Sequence, residues 1–210
     1  MTRQIPAELS ESEEAPLFGM IYDAYNEPCP DASIIIDQQE AAVTDINGRF
    51  TISSLARGEH IIRIVKEGYE PIDVRFLFLN RNQVFHAQVF SFRYILDKAE
   101  ESLETENWAQ CRWFLQRAEA IFPEDPELVY LQGLYFFNTE RYDQALTVLQ
   151  PLTQRERSSA FVHLLLSDIY QYGLEDTQSA AEHLEAFLQL RGSREIEERL
   201  ASLTNAQPSE

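Results

Sequence analysis

Apolar and polar positions follow two different periods along this chain. Between residues 17 and 90 the apolar residues fall in short runs rich in Ile, Val, Phe and Tyr, interrupted by Gly, Pro, Asn or Asp. Alternation is clearest where Ile62 and Ile64 interleave with Arg63 and Val65, as in a strand with one buried face. The pattern predicts seven strands, over residues 17–22, 32–36, 42–44, 49–53, 58–66, 71–79 and 83–90, and hence an all-β sandwich over residues 16–91. From residue 92 the apolar spacing lengthens to three and four, which predicts helices in pairs: 93–104 with 108–121, 126–138 with 142–150, 159–172 with 177–190, and a closing helix over 193–203. The fold class is therefore two-domain, β then α. With no Gly-, Ser- or Pro-rich stretch between them, the two regions are expected to be rigidly joined. Residues 1–15 are polar, acidic and aperiodic, and residues 204–210 polar, so both are expected to be disordered tails.

The helical region repeats itself. Ala99, Gly133 and Ser167 are spaced by 34 residues, as are Trp108 and Tyr142, Cys111 and Ala145, Leu115 and Leu149, and Phe136 and Tyr170. Small residues recur where paired helices must touch, and large apolar ones where hairpins must stack. The region resembles the tetratricopeptide (TPR) repeat, and residues 92–203 read as three TPR-like hairpins plus the closing helix. Pro151 is expected to shorten the second helix of the second pair. Ala180 and Leu184 lie 35 residues after Ala145 and Leu149, which places one extra residue in the turn over 173–176. Ser102 stands where the later repeats have Phe136 and Tyr170. Ile196, Leu200 and Leu203 have the spacing to cover the last apolar face.

In the first region, Asp45-Ile46-Asn47-Gly48 reads as a hairpin in which Asn47 and Gly48 supply positive φ, and Asn80-Arg81-Asn82 reads as the same device for the last pair. The runs PLFGMIYDAYNEPCPDASIII and VTDINGRFTISSLARGEHIIRIVKEGYEP resemble the carboxypeptidase regulatory-like domain, a transthyretin-like Greek-key sandwich. The matching positions are Gly19, Asp23, Pro28, Pro30, Ala32, Thr44, Asp45, Gly48, Phe50, Leu55, Gly58, Gly68 and Tyr69. The resemblance implies a structural or interaction module. It brings no chemistry with it. No His is followed by Glu at the spacing a zinc carboxypeptidase needs, and the Tyr-Arg-Gly-Ser ending of transthyretin-like hydrolases of 5-hydroxyisourate is missing.

Charge narrows the partner class. The chain has 35 acids against 17 Lys and Arg, a formal charge of -18, and both halves share the excess, with 14 acids to 7 bases in residues 1–91 and 21 to 10 in residues 92–210. Nucleic acid and anionic lipid are thereby disfavoured as partners. Cys29 and Cys111 fall in different predicted domains and read as free thiols. The absence of a signal-peptide core or a membrane-length apolar run predicts a cytoplasmic protein with no membrane insertion, or an extracytoplasmic one if a leader was removed.

A phosphate loop, a Gly-x-Ser-x-Gly elbow and a Cys-x-x-Cys pair are all missing from the sequence, so no catalytic residue, metal site or cofactor is predicted. His60 and His86, on strands that could be neighbours, with Asp73 are the nearest approach to a metal set. Tyr22, Tyr25 and Tyr69 are the nearest approach to a carbohydrate platform. Cys111 takes the place of Ala145 and reads as packing. What remains is a surface. By the TPR resemblance, the groove positions are Leu96, Glu100, Leu103 and Glu104, then Tyr130, Leu134, Phe137 and Asn138, then Leu164, Asp168, Gln171 and Tyr172. Leu96 and Leu164 lean towards core. Chaperone-binding relatives hold an acidic C-terminus with Lys, Asn and Arg, whereas Leu96, Glu100, Glu127 and Leu131 stand at the corresponding places here. The expected partner is a protein segment, extended or helical, with apolar anchors and basic flanks. The function expected is a non-enzymatic adaptor or scaffold. The alternative is a structural subunit, homo-oligomers included, that assembles through array edges or sandwich edge strands.

Overall fold

The computed structural model describes residues 14–153 and 160–205; most of the expected tails and the start of the fifth helix lie outside them, while residues 14–15 and 204–205, expected in those tails, belong to the first strand and the last helix. The chain divides into two compact units, residues 1–94 and 95–210. Among its described residues the first holds seven strands: β1 (Glu14–Tyr22), β2 (Ser33–Ile36), β3 (Gln39–Val43), β4 (Arg49–Ala56), β5 (Gly58–Val65), β6 (Ile72–Phe78) and β7 (Val84–Gln88). They form two sheets, ordered β4-β1-β7 and β3-β2-β5-β6. β1 runs antiparallel to β4 and parallel to β7. Leu17, Ile21, Phe50 and Phe85 from one sheet and Ile34, Ile62, Ile64 and Phe78 from the other share one core. Burying each such side chain is worth about 1.5–3 kcal/mol. The alternation read from sequence holds: Ile62 and Ile64 are buried, and Arg63 and Val65 face outward.

The connections differ from two of the expectations. The turn at 45–48 is tight, with the Gly48 N–H donating to Asp45 O at 2.8 Å and the Asp45 N–H to Arg49 O at 2.8 Å. Yet β3 and β4 belong to different sheets, so the turn carries the chain across the sandwich and does not close a hairpin. Of Asn47 and Gly48, the two residues expected to supply positive φ, Gly48 alone does, at +70°; the Asp45 carboxylate accepts the N–H groups of Asn47 and Arg49 at 2.9 and 2.8 Å and holds Asn47 in an ordinary conformation. The turn at 80–82 likewise connects two sheets, because β7 leaves β6 to lie beside β1. A true two-residue hairpin joins β2 to β3 through Asp37 and Gln38, with φ of 49° and 72°. Both central residues are left-handed, as the strand twist requires.

In the second unit the helices are α1 (Phe92–Glu104, whose first turn belongs to the first unit), α2 (Trp108–Glu119), α3 (Pro126–Asn138), α4 (Tyr142–Thr153), α5 (Ala160–Asp168), α6 (Thr177–Leu190) and α7 (Arg194–Asn205). Side-chain caps start several of them. Asp125 accepts the N–H groups of Glu127 and Leu128 with Pro126 at the first position, and Asp176 accepts that of Ser179. α3 packs on α4, α5 on α6 and α6 on α7, with α2 against α3 and α4 against α5. Pro151 does not shorten its helix: α4 continues to Thr153, because Leu152 is buried in the same core as Leu149 and holds the last turn in place.

The repeat has a physical basis at each position. A Cβ on Gly133 would sit 2.5 Å from the Leu149 side chain, so the second hairpin leaves no room for the side chains that Ala99 and Ser167 carry at the matching places. Each hairpin turn contains a glutamate at positive φ, Glu106, Glu140 and Glu175, at 54°, 59° and 56°. In the first two turns the backbone closes identically, Asn107 N–H to Ser102 O and Arg141 N–H to Phe136 O, both at 2.8 Å. In the third, Asp176 donates to Tyr170 O, one residue further back. The extra residue is therefore in the helix and not in the loop, where α5 ends as a π-helical turn over Ile169–Gly173.

Candidate binding groove

The expected groove positions lie on α1, on α3 and on α5 with its π-helical turn. On α1, Leu96 is buried, Leu103 half-buried, and Glu100 and Glu104 exposed. On α3, Tyr130, Leu134 and Phe137 are half-buried, packing one side against the core around Ala145 and Leu149. Phe137 also meets the Tyr142 ring at 6.1 Å, and exposed Asn138 donates to Leu134 O at 2.8 Å. Leu164 joins the last core, around Leu184 and Phe187, which agrees with its lean towards packing. Of the positions a carboxylate clamp would use, Leu96 and Leu131 are buried and Glu100 and Glu127 exposed.

The third set is brought together by a residue that sequence reasoning passed over. Arg199, on α7, makes an ion pair with Asp168 at 2.7 Å, donates from Nε and Nη2 to Gln171 Oε1 at 2.9 and 2.5 Å, and lies over the Tyr172 ring at 5.3 Å. Asp168, Gln171 and Tyr172 are thus occupied by the chain's own guanidinium. The pair is only partly exposed, in the range where a charge-assisted bond contributes about 1.5–3 kcal/mol. A signal for it was present in the sequence: Arg199 is three residues after Ile196 and four before Leu203, a cation on the apolar stripe of the closing helix. Tyr130 connects to the same cluster, its phenol pushed up by burial and, to a lesser extent, by the charge of Asp168.

Other candidate chemistry resolves into structure. His60 and His86 lie in different sheets, so they are not on neighbouring strands. His60 Nδ1 meets Asp37 Oδ2 at 2.7 Å, and its Nε2 donates to Ala56 O at 2.8 Å. Both nitrogens are spent, which leaves the Asp–His pair no lone pair with which to act as a base. Asp37 also accepts the Ile61 N–H at 3.0 Å, pinning the β2–β3 turn to β5. Among the described residues no group of three or more His, Cys, Asp or Glu could hold a metal ion. Tyr22 stacks on His86, Tyr25 meets Tyr94 edge-on and Lys66 lies over Tyr69, so each tyrosine of the imagined sugar platform serves a separate contact. Cys29 and Cys111 are free and buried, and burial raises both thiols, Cys111 to about 11. Between α5 and α6, His163 and His183 bring their Nδ1 atoms within 3.1 Å under the Tyr170 ring. Burial lowers both pKa values, and the proximity of His163 lowers that of His183 further.

No protein-family model matches the sequence, and no curated protein does. Among solved structures the chain is similar to the Arabidopsis OM64 TPR domain, at 12% identity over 55% of this chain and 96% of that one, with a TM-score of 0.49. It is similar to the first TPR of Spaghetti (RPAP3), which is bound to the HSP90 peptide SRMEEVD, at 14% identity over 55% and 91%, with a TM-score of 0.49. A cohesin–X-dockerin complex of Acetivibrio cellulolyticus is 18% identical over 37% and 58%, with a TM-score of 0.33. The class of the second unit follows from its own geometry: helical hairpins repeating at 34 residues and closed by a final helix make a TPR-like array. Among the described residues no helix is long and apolar enough to cross a membrane.

Proposed function

We propose that this chain is a non-enzymatic protein–protein interaction adaptor, a scaffold of the cytoplasm, whose array binds a partner segment along Glu100, Leu103, Glu104, Tyr130, Leu134, Phe137 and Asn138. Its domains are the sandwich, residues 16–91, and the array, residues 92–203, and the sandwich is a carboxypeptidase regulatory-like module. The observation that carries the reading is Arg199. An internal guanidinium held by Asp168, Gln171 and Tyr172 is a sample of what this surface accepts, a basic group beside an aromatic ring. The partner is a segment with apolar anchors and basic flanks, bound beside the position that Arg199 fills. An acidic C-terminal tail does not suit a surface with exposed Glu100 and Glu104.

A second reading, a structural subunit assembling through the sandwich edge, is favoured by β6, an edge strand that leaves Leu77 half exposed with Leu79 exposed just beyond it. Selection from a random peptide library on the intact chain, beside a Tyr130→Ala/Phe137→Ala variant with the same circular dichroism, separates the two. Peptides pairing aromatic or aliphatic residues with Arg or Lys are expected on the intact chain and not on the variant. Enrichment that the variant retains, or none on either, refutes groove recognition, and a concentration-dependent mass abolished by Leu77→Lys supports the second reading.

A further inference from the structure

Away from the groove positions, a hollow of about 320 Å³ lies among α2, α3 and α4, a size at the lower end of small-ligand sites. Each helix contributes one stripe to it. α2 gives Arg112, Gln116 and Glu119, spaced by four and three; α3 gives Gln132 with Tyr135; Arg141 comes from the residue before α4 and Gln144 from its first turn.

Among the described residues neither Arg112 nor Arg141 has an ion-pair partner, and the side-chain amides of Gln116, Gln132 and Gln144 make no hydrogen bond. Arg112 and Arg141 line one hollow together, with Glu119 as the acid beside them. Arg141 is also fixed in place. Its guanidinium lies over the rings of Tyr135 and Phe136 at 5.2 and 5.7 Å, and Nη2 donates to the Tyr135 hydroxyl at 3.0 Å. Tyr135 is buried, so the group that holds Arg141 is itself rigid, and the remaining N–H donors are positioned without further loss of freedom. Glu119 is the one acid of the lining, seven residues from Arg112 and so roughly 10 Å along the helix axis.

We propose that this hollow is an oxyanion site, which takes a phosphate or carboxylate group between Arg112 and Arg141 with the glutamine amides as additional donors. Two guanidiniums supply charge-assisted, two-pronged hydrogen bonds of the kind that recognise planar or tetrahedral anions. Glu119, about two turns along α2 from Arg112, limits affinity and sets a direction for the test. The anion is a free small ion or an acidic or phosphorylated side chain of a protein.

The full-length chain labelled with ¹⁵N is titrated at constant ionic strength, with chloride as the balancing ion, using inorganic phosphate in one arm and N-acetyl-glutamate amide in the other. The Nε–Hε resonances of Arg112 and Arg141 are expected to move together, saturably and with one dissociation constant, along with at least one of the three glutamine amides. Arg112, exposed and without an intramolecular partner, can be replaced without risk to the fold: Arg112→Gln is expected to weaken binding about tenfold or more. Glu119→Gln is expected to tighten it. Saturation by phosphate alone assigns a phosphate ligand, and saturation by the glutamate probe assigns a carboxylate. Shifts that stay linear, that equal those of exposed Arg194, or that persist unchanged in Arg112→Gln overturn the proposal.

Discussion

The two units reach a defined structure by different means. The sandwich is fixed by short polar side chains bonded to backbone at its turns. Asp23 accepts the N–H groups of Tyr25 and Glu27, Thr44 accepts that of Ala32 and donates to Cys29 O, and Asp37 and Asp45 act similarly. The array has caps but depends mainly on matching small residues to large ones at a fixed interval, as Gly133 does with Leu149. A sheet gathers residues distant in sequence and needs its turns specified one at a time. A repeat has solved its geometry once it has solved one unit. The sandwich should therefore be most vulnerable at turns and the array at helix contacts.

The largest expected effect is at Gly48. A Cβ there would lie 2.4 Å from the Ile21 carbonyl oxygen, on a backbone already at φ +70°, and neither obstacle can move aside. Gly48→Ala should lower sandwich stability by about 3 kcal/mol, read as lost hydrogen-exchange protection of the β5 amides. Unchanged protection refutes the turn-based account. Gly133→Ala should cost the array about 1–3 kcal/mol, since Leu149 is a side chain and can partly yield. Both tryptophans, Trp108 and Trp113, are in the second unit, so denaturant unfolding followed by fluorescence measures this directly.

A change of opposite sign is expected one repeat on. The Ser167 hydroxyl is buried without a hydrogen-bond partner, and Ala99 occupies the matching place in the first repeat. Ser167→Ala should raise array stability by about 1 kcal/mol. A loss of that size in the same fluorescence assay would mean the hydroxyl is satisfied in solution.

The smallest effect sharpens the contrast, because the units should answer pH in opposite directions. His60 is raised above its usual 6.5: burial works against this, but its bonds to Asp37 and Ala56 O prevail. Its contribution is complete below 6.5 and is lost as pH rises through the folded value. Asp37 is lowered, chiefly by the Ile61 N–H and then by His60, so its share persists above 3.8 and fades on acidification. His163 and His183 are lowered by burial, so the array is most stable above 6.5 and weakens as the pH falls towards their folded values. Between pH 8 and pH 5.5 the fluorescence midpoint should fall while exchange protection at the Ile61 amide rises. Movement in one direction by both, or persistence of the fluorescence shift in His163→Phe/His183→Phe, contradicts the assignment.

Much of this organisation was legible in sequence, for reasons the two units make plain. Seven strands and seven helices were readable because burial imposes a period on local sequence, as at Ile62 and Ile64. Pairing was not, since nothing near Asn80 says that the following strand will cross to lie beside β1. The Asp37-Gln38 hairpin was missed because Gln38 is an uncommon residue for positive φ, and its stability depends on β5, far along the chain. Of the candidate groove positions, the repeat register gives the helix on which each lies, with Glu100 on α1 and Tyr130 on α3. The place of Arg199 on the apolar stripe of α7 was legible too, but its partners were not, because they are fixed by tertiary packing of α7 and no spacing rule within one helix points to Asp168.

The π-helical turn at Ile169–Gly173 bears on how such arrays tolerate changes in length. One residue added to a regular helix rotates everything beyond it by about 100°, which would turn the apolar face of α6 away from α5. Here the widened turn takes up that rotation, and Ala180 and Leu184 remain buried as Ala145 and Leu149 are. The insertion acts as a phase correction, leaving the next hairpin in step with the one before. Copies of a repeat that differ in length can share a single stacking geometry whenever the surplus falls in a helix's final turn, so aligning them by residue count alone mistakes such a shim for a loss of symmetry.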